Sequence, residues 1–290
     1  MRLATMTSLF RDQRGKDEHI NYIESMRRCK EAGFHVLDLN MCAMLSGKTE
    51  FNGDDWMIKA DKIRNEAEKL GIEFSQSHPP YRPTKYPHFK KVEEEAYFNE
   101  MTRRSIIISG MMGVKWAVMH PVTTFESSEY SIEDDISSNH EVFDEVIELA
   151  MKENVGIAFE NMSDRDNRRR FGSTVSELKH LIDSFDNPMV GACWDIGHGH
   201  RIYNDSVRPI KEMGKRLKAL HVDDNHGSTD EHLLPYLGTI QWEGVMKALK
   251  EIGYEGDFVY EIKINDFMPD DLKDAAARFA AEVGRYLVAL

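Results

Sequence analysis

The stretch that decides the fold runs from residue 156 to residue 198, and its three parts read GIAFENM (156–162), VSELKHLIDSF (175–185) and VGACWDIGH (190–198). The first and third parts are short and almost entirely apolar, which is typical of strands buried on both faces of a parallel sheet. In the middle part, one helix face carries Val175, Leu178, Leu181 and Phe185. The stretch therefore predicts a strand, a crossover helix and a second, parallel strand.

The same alternation of strand and helix extends outward from this unit over the whole chain. The predicted strands are Leu3–Leu9, His35–Cys42, Ile72–His78, Trp116–Val122, Gly156–Met162, Val190–Ile196, Leu217–Asp223 and Asp257–Ile262. Eight such units in 290 residues match the size of a (β/α)8 TIM barrel, so we expect a single α/β domain over residues 1–290. The alternative is an open doubly wound sheet. Its usual Gly-rich turn is missing here, because the segment around the end of the first strand reads SLFRDQRG (8–15).

Composition and charge narrow the class of protein. No stretch reaches the roughly 18 apolar residues of a membrane helix, and the N-terminus lacks the apolar segment of a signal peptide, so we expect a cytoplasmic protein without a membrane partner. The 50 acidic and 37 basic residues give a net charge of −13, which argues against nucleic acid as a partner. The dense basic run RDNRRR (165–170) is interpreted as a solvated loop, with a contact to substrate phosphate as the alternative.

Polar residues that can bind a metal recur at the carboxyl ends of the predicted strands. Strands three to eight and their following segments place His78, His120, Glu160, Asp195, His198, His221, Asp230, His232 and Glu261 in this order. All strand ends of a TIM barrel face one side, where its active site lies. Carboxylates that are grouped and buried repel one another, and a divalent cation removes that cost. Mixed carboxylate and imidazole ligands suit Mn, Co, Fe or Zn better than Ca, and Mg stays open as well.

Each of these positions also has a structural interpretation when it is taken alone. A buried glutamate can pair with an arginine, and the histidine in AVMHPV (117–122) can be a core residue with satisfied hydrogen bonds. Core packing alone does not readily place so many ligand types at one end of the strands, so the joint pattern predicts a metal site. The remaining histidines are expected to be structural or exposed, at positions 19, 35, 88, 140, 180, 200 and 226.

Several motifs resemble those of the sugar phosphate isomerase/epimerase family, which shares the xylose isomerase-like barrel with endonuclease IV. They are ENM (160–162), WDIGH (194–198), HVDDN (221–225), GTIQW (238–242) and YE (260–261). The resemblance runs over nearly the whole chain. It implies one divalent ion held by Glu160, Asp195, His221 and Glu261. It also implies that the two glutamates move a proton at a carbon next to a carbonyl.

The same resemblance implies the ligands and partners of this site. The implied substrate is a small sugar or sugar phosphate, and the implied assembly is a homodimer or homotetramer. Residues expected to contact the substrate are His78, His120, His198 and His232. Candidate contacts to phosphate or hydroxyl groups are Arg82, Lys85, Arg165, Arg168 and Arg201. Candidate aromatic walls are Trp116, Trp194 and Phe159, for which core packing is the alternative.

Endonuclease IV is also similar, but the resemblance requires more ligands because that enzyme binds three zinc ions. The matches to its further ligands in this chain are His78, His120, His198, Asp230 and His232. Four hypotheses therefore stay open: a sugar isomerase or epimerase, an inosose dehydratase-type lyase on the same site, an abasic-site nuclease, and a non-catalytic sugar-binding barrel. The net charge favours the first over the nuclease, and two opposed glutamates argue against a protein that only binds.

Overall fold

A computed structural model describes residues 1–10, 21–82, 91–123, 130–164, 169–264 and 268–290. The strands of the described residues are β1 (Leu3–Met6), β2 (Val36–Asn40), β3 (Glu73–His78), β4 (Trp116–Met119), β5 (Gly156–Glu160), β6 (Val190–Asp195), β7 (Leu217–His221) and β8 (Phe258–Tyr260). The helices are α1 (Tyr22–Ala32), α2 (Trp56–Leu70), α3 (Val92–Met111), α4 (Ile132–Lys152), α5 (Val175–Ser184), α6 (Ile196–Tyr203), α7 (Arg208–Met213), α8 (Trp242–Glu251) and α9 (Asp270–Ala289). Short 3-10 turns cover Thr7–Phe10, Cys42–Ser46 and Gly214–Arg216.

The eight strands form one parallel sheet in the order β7-β6-β5-β4-β3-β2-β1-β8. The two outer strands of this order then meet beyond their regular ends. The backbone N–H of Val222 donates to the carbonyl of Val259 at 2.8 Å, and the N–H of Glu261 donates to the carbonyl of Val222 at 3.0 Å. These contacts bring the sheet into a nearly closed barrel with alternating helices, so the predicted TIM-barrel fold is confirmed.

Seven of the eight predicted strands extend too far at their carboxyl ends, and the third ends at His78 as predicted. The first strand ends at Met6, where the turn Thr7–Phe10 begins, and β4 ends at Met119 rather than Val122. Several residues beyond these ends, among them Thr7, Leu9 and Val122, stay buried although they leave the sheet. Their apolar character therefore continues the sequence pattern of a strand where the strand itself has stopped.

The barrel interior beneath the strand ends is filled by small side chains. Since side chains alternate along a strand, each interior residue lies two positions before a residue at the top of the barrel. Two clusters of buried residues supply this interior, namely Val118, Ala158, Cys193 and Ala219, and Ala4, Val36 and Val259. The position after each interior residue faces the helices instead, and the helical stripes predicted from sequence cover that outer face.

For all three candidate aromatic walls, the structure supports the alternative of core packing. Trp116 is the first residue of β4, at the opposite end of the barrel from the strand ends that carry the polar residues. A Cβ atom at Gly156 would lie 2.3 Å from the Trp116 ring, so this ring fills the space that a side chain at position 156 would take. Phe159 packs against Phe143 at 4.9 Å between ring centroids, and Trp194 is fully buried. Both alternate with interior residues and pack outward, as core aromatics do.

None of the helices in the described ranges combines the length and the apolar character that crossing a membrane requires.

Candidate metal centre

Four side chains from consecutive strands converge at the top of the barrel. Glu160, Asp195 and His221 are the last residues of β5, β6 and β7, and Glu261 directly follows β8. One ligand atom from each of them lies within 4.8 Å of the others. The Nδ1 atom of His221 is 3.1 Å from Glu160 Oε1 and 2.8 Å from Glu261 Oε2. The four residues that the sequence predicts for one metal ion are thus neighbours in space; we call them the four-residue group.

The Asp-x-x-His spacing in this group has a local structural cause. Asp195 is the N-cap of α6, and its Oδ1 atom accepts a hydrogen bond from the backbone N–H of His198 at 2.6 Å. Such a cap places the third residue of the helix beside the capping side chain. The Oδ2 atom of Asp195 is buried and accepts no hydrogen bond from the described residues. One oxygen therefore holds the helix, and the other is available to a cation.

Asn161 fixes the backbone on which this carboxylate is mounted. Its side chain accepts from the N–H of Asp195 at 2.6 Å and donates to the carbonyl of Asp195 at 2.9 Å. Its own backbone carbonyl accepts a hydrogen bond from Nδ1 of His198 at 2.9 Å. Asn161 is not among the predicted site residues, although its place directly after Glu160 in the ENM motif is the signal that points to it.

A second group of potential ligands shares Glu160 with the first. The Nε2 atoms of His120 and His78 lie 2.9 Å and 3.5 Å from Glu160 Oε2. The Nδ1 atom of His78 is 3.0 Å from the carbonyl oxygen of Pro79 and 3.2 Å from the sulfur of Cys42. Glu160 therefore turns one oxygen toward the four-residue group and the other toward two histidines on β3 and after β4.

A third group consists of Asp223, Asp230 and His232, whose ligand atoms also lie within 4.8 Å of one another. The Nε2 atoms of His232 and His198 are 3.3 Å and 3.5 Å from Asp230 Oδ2. Asp223 is fully buried, and its Oδ2 atom accepts no hydrogen bond from the described part of the chain. The sequence prediction names Asp230 and His232 but omits Asp223, which lies two residues after His221 and therefore faces the same side.

Backbone carbonyls fix the orientation of three of the histidine rings. The Nδ1 atoms of His78, His198 and His232 each lie within 3.0 Å of a carbonyl oxygen, which can only accept. In a neutral ring, Nδ1 therefore carries the proton and Nε2 presents a lone pair to a carboxylate oxygen. Two such acceptors repel each other unless a proton or a metal ion lies between them. Rings held in this way are typical of histidines that bind metals, so the residues fit a divalent cation.

The carboxylates of the four-residue group differ in their electrostatics. Burial tends to raise the pKa of Glu160, but neighbouring histidines, His221 first, hold that pKa well below its usual value. Burial, opposed by His198, raises the pKa of Asp195 to about 6. Burial also acts on Glu261, but the charge of His221 outweighs it and lowers the pKa of Glu261 to about 2. A divalent cation at this position would favour the ionised form of all three carboxylates.

An aromatic ring that the sequence prediction omits stands at the mouth of the site. Tyr81 stacks on the ring of His120 with 4.8 Å between centroids and 17° between planes. It is 45 % exposed, so one part of it covers the histidine and the other part faces outward. Its position in SHPPY, three residues after His78, is the sequence signal for it.

The predicted contacts to phosphate or hydroxyl groups fall into three cases. Arg201 donates to the hydroxyl of Ser163 at 2.6 Å, close to the end of β5. Arg82 forms an ion pair with Glu95 of α3 at 3.1 Å. Lys85, Arg165 and Arg168 lie outside the described residues, as do His19 and His88. Among the described residues, the other histidines expected to be structural or exposed (positions 35, 140, 180, 200 and 226) belong to none of the three groups.

The chain resembles known proteins in its amino-acid sequence. The sequence profile of the xylose isomerase-like TIM barrel family matches residues 26–283. An uncharacterised protein of Methanocaldococcus jannaschii is 30 % identical over 148 residues, which is 50 % of this chain and 50 % of that protein. A probable endonuclease 4 of Acholeplasma laidlawii is 25 % identical over 171 residues, 54 % of this chain and 56 % of the relative. The chain thus spans about half the length of the curated relatives that it matches.

Solved structures resemble the chain over almost its full length. The D-psicose 3-epimerase of Clostridium cellulolyticum H10, solved with D-tagatose, superposes with a TM-score of 0.76 at 17 % identity and covers 99 % of each chain. The IolI protein with a bound zinc atom superposes with a TM-score of 0.75 at 17 % identity, covering 100 % of this chain and 98 % of its own. At these identities the likeness concerns the fold. Together with the profile match over most of its length, it means that the chain belongs to the xylose isomerase-like TIM barrel family.

Proposed function

We propose that this chain is a metal-dependent sugar or sugar phosphate isomerase or epimerase that transfers a proton at a carbon next to a carbonyl. The observation that carries the proposal is the meeting of Glu160 and Glu261 at one atom, Nδ1 of His221, at 3.1 Å and 2.8 Å. Two carboxylates that approach the same point from different strands are what acid–base work on the two faces of one carbon requires. The epimerases among the structural neighbours have the same fold.

The two glutamates come from strands separated by β6 and β7 in the barrel. We assign them opposite faces of the substrate carbon: one removes the proton and the other returns a proton from the far side. Each then exchanges its roles in the reverse reaction. Both pKa values lie below the usual range, so the glutamate that removes the proton is ionised at neutral pH, and the one that returns a proton first takes it up from solvent.

A divalent cation, which Glu160, Asp195, His221 and Glu261 would hold, supplies charge neutralisation and polarises a carbonyl oxygen. We propose Mn, Co, Zn or Mg for this position. Nδ1 of His198 lies 3.5 Å from Asp195 Oδ2, and Nδ1 of His232 lies 2.9 Å from the backbone carbonyl oxygen of Glu261. Both histidines are proposed to bind hydroxyl oxygens of the sugar. A cytoplasmic location and a homo-oligomeric assembly are part of the proposal as well.

Solvent exchange tests this proposal most directly. The protein is incubated in D2O with Mn, Co or Zn and a panel of ketoses, their phosphates and inososes, and the mixtures are followed by NMR. We expect deuterium at one carbon of the product, and little in recovered substrate at early times, because each glutamate serves its own face. Loss of water from an inosose would identify the lyase instead. Absence of exchange over the whole panel would contradict proton transfer at carbon.

A nuclease-like phosphodiesterase is the second candidate, and it has its own observation. The described residues contain three groups of potential ligands rather than one, and Glu160 belongs to two of them. Three metal ions per chain, measured by elemental analysis, together with nicking of abasic DNA, would favour this candidate. One ion per chain with deuterium exchange favours the isomerase. Metal-independent binding of a sugar without exchange would favour the non-catalytic barrel.

A further inference from the structure

Asp38 is a buried carboxylate that none of the three ligand groups uses. It lies within β2 two residues after Val36, which belongs to the barrel interior, so its side chain faces inward as well. It is fully buried, and neither of its carboxylate oxygens accepts a hydrogen bond from the described residues. Gln76, its neighbour in register on β3, donates instead to the carbonyl of Leu220 at 3.3 Å.

The ring of His221 faces this carboxylate with the nitrogen that the four-residue group leaves free. Its Nδ1 atom is directed at Glu160 and Glu261, whereas its Nε2 atom is buried and has no hydrogen-bond partner in the described ranges. This Nε2 atom lies 3.9 Å from Oδ2 of Asp38. A donor and an acceptor, both fully buried and both unpartnered, therefore face each other at slightly more than hydrogen-bond distance.

We infer that Asp38 is a positioning residue for His221: it accepts a hydrogen bond from Nε2–H, so that the Nδ1 lone pair is held toward the four-residue group. The inference rests on the proposed metal centre and adds to it a residue that is not itself a ligand. A carboxylate behind a histidine fixes the ring, selects its tautomer and makes the opposite nitrogen a stronger donor to a cation. Backbone carbonyls orient His78, His198 and His232, whereas for His221 Asp38 takes that place.

The surroundings of Asp38 argue against a purely structural role. Small apolar residues fill the neighbouring interior, including Ala4, Val36 and Val259. A buried carboxylate without a partner destabilises a fold, and an apolar side chain of similar size is neutral or better. The metal-free protein therefore gains no stability from Asp38, and its effect should become visible only when a cation is bound.

The test compares metal affinity with the stability of the metal-free protein. Mn, Co and Zn affinities are measured by competition with a chromophoric chelator for the wild type, Asp38→Asn, Asp38→Leu and, as a matched control, Gln76→Leu. We expect Asp38→Leu to lose about 10- to 100-fold in affinity, without a lower Tm of the metal-free protein. Asp38→Asn should lose less, because its amide oxygen still accepts a hydrogen bond. Gln76→Leu should keep the affinity and lower the Tm.

A second measurement needs no variant. In the zinc-loaded wild type, two-bond nitrogen–proton NMR spectra of the His221 ring should show the proton on Nε2. Variants of Asp38 that keep wild-type affinity would overturn the inference while leaving the metal centre in place, whereas a proton on Nδ1 would remove His221 from the ligand set and overturn both. A wild type that binds none of the three metals would instead overturn the metal centre itself, and the inference with it.

Discussion

Glu160 makes the most contacts with other potential ligands at the top of the barrel. Its Oε1 atom is 3.1 Å from His221, and its Oε2 atom is 2.9 Å from His120 and 3.5 Å from His78. It is almost completely buried, so each of these contacts acts in a medium of low dielectric constant. Removal of the negative charge at this position therefore changes the electrostatic environment of all three histidine rings.

At the residue scale, we expect Glu160→Gln and Glu261→Gln each to abolish turnover. Each variant loses a negative charge toward the cation and a proton acceptor, while the side-chain volume is nearly unchanged. The loss is expected to exceed about 100-fold in kcat, the lower limit for a general base. Turnover of the identified substrate is measured by NMR with saturating metal.

The matched control for these variants is Glu177→Gln. Glu177 is equally buried, but it belongs to the start of α5 and lies outside the three ligand groups. It should retain turnover below the temperature at which the protein unfolds. A near-normal rate in either Glu160→Gln or Glu261→Gln would rule out the scheme in which two glutamates share the proton transfer.

The residue types at the strand ends predict most of the residues that the structure brings together in the candidate site. They do not predict the direction of every side chain, and residues that depend on direction are therefore missed. Glu160 and His221 were identifiable because the carboxyl ends of barrel strands meet at one side. Asp38 was not, because a single aspartate in VLDLN (36–40) looks like a strand irregularity until the sheet register places it behind His221. The core position of Trp116 is consistent with the sequence, because the predicted strand begins at this residue and its polar end lies at His120.

At the scale of the element, the start of α5 is built by a capping box. The Thr174 hydroxyl accepts from the N–H of Glu177 at 3.3 Å, and the carboxylate of Glu177 accepts from the N–H of Thr174 at 3.1 Å. We expect Thr174→Ala to lower the free energy of unfolding by about 1 kcal/mol, measured by urea denaturation. Thr174→Ser should restore most of it. Equal stability of all three proteins would mean that the cap does not contribute.

Strand and helix identities follow from periodicity, but their limits do not. The apolar run after β4 continues to Val122, although the strand ends at Met119. Loop residues at the site end of the barrel are partly buried, so their amino-acid composition resembles that of the strands. The nearly closed arrangement of β7 and β8 depends on two backbone hydrogen bonds of Val222, which have no signature in side chains.

At the scale of the whole molecule, we expect metal binding to stabilise the fold. A cation present at about 100 times its Kd contributes about 2.7 kcal/mol, which for a chain of this size raises the Tm by about 4 to 5 °C. The Tm is measured by circular dichroism before and after treatment with EDTA and after readdition of Mn or Zn. The double variant Glu160→Gln/Glu261→Gln should show little response. An unchanged wild-type Tm under all conditions would contradict a metal centre in the barrel.

The sharing of Glu160 makes the ligand groups nested rather than separate. Substitution of His78 and His120 would leave the four-residue group complete, whereas loss of Glu160 would break two groups at once. The ends of β3 and β4 therefore decide whether a second ligand group exists beside the four-residue group. A protein engineer can change the number of ligand groups by keeping β5 to β8 intact and diversifying only the ends of β3 and β4.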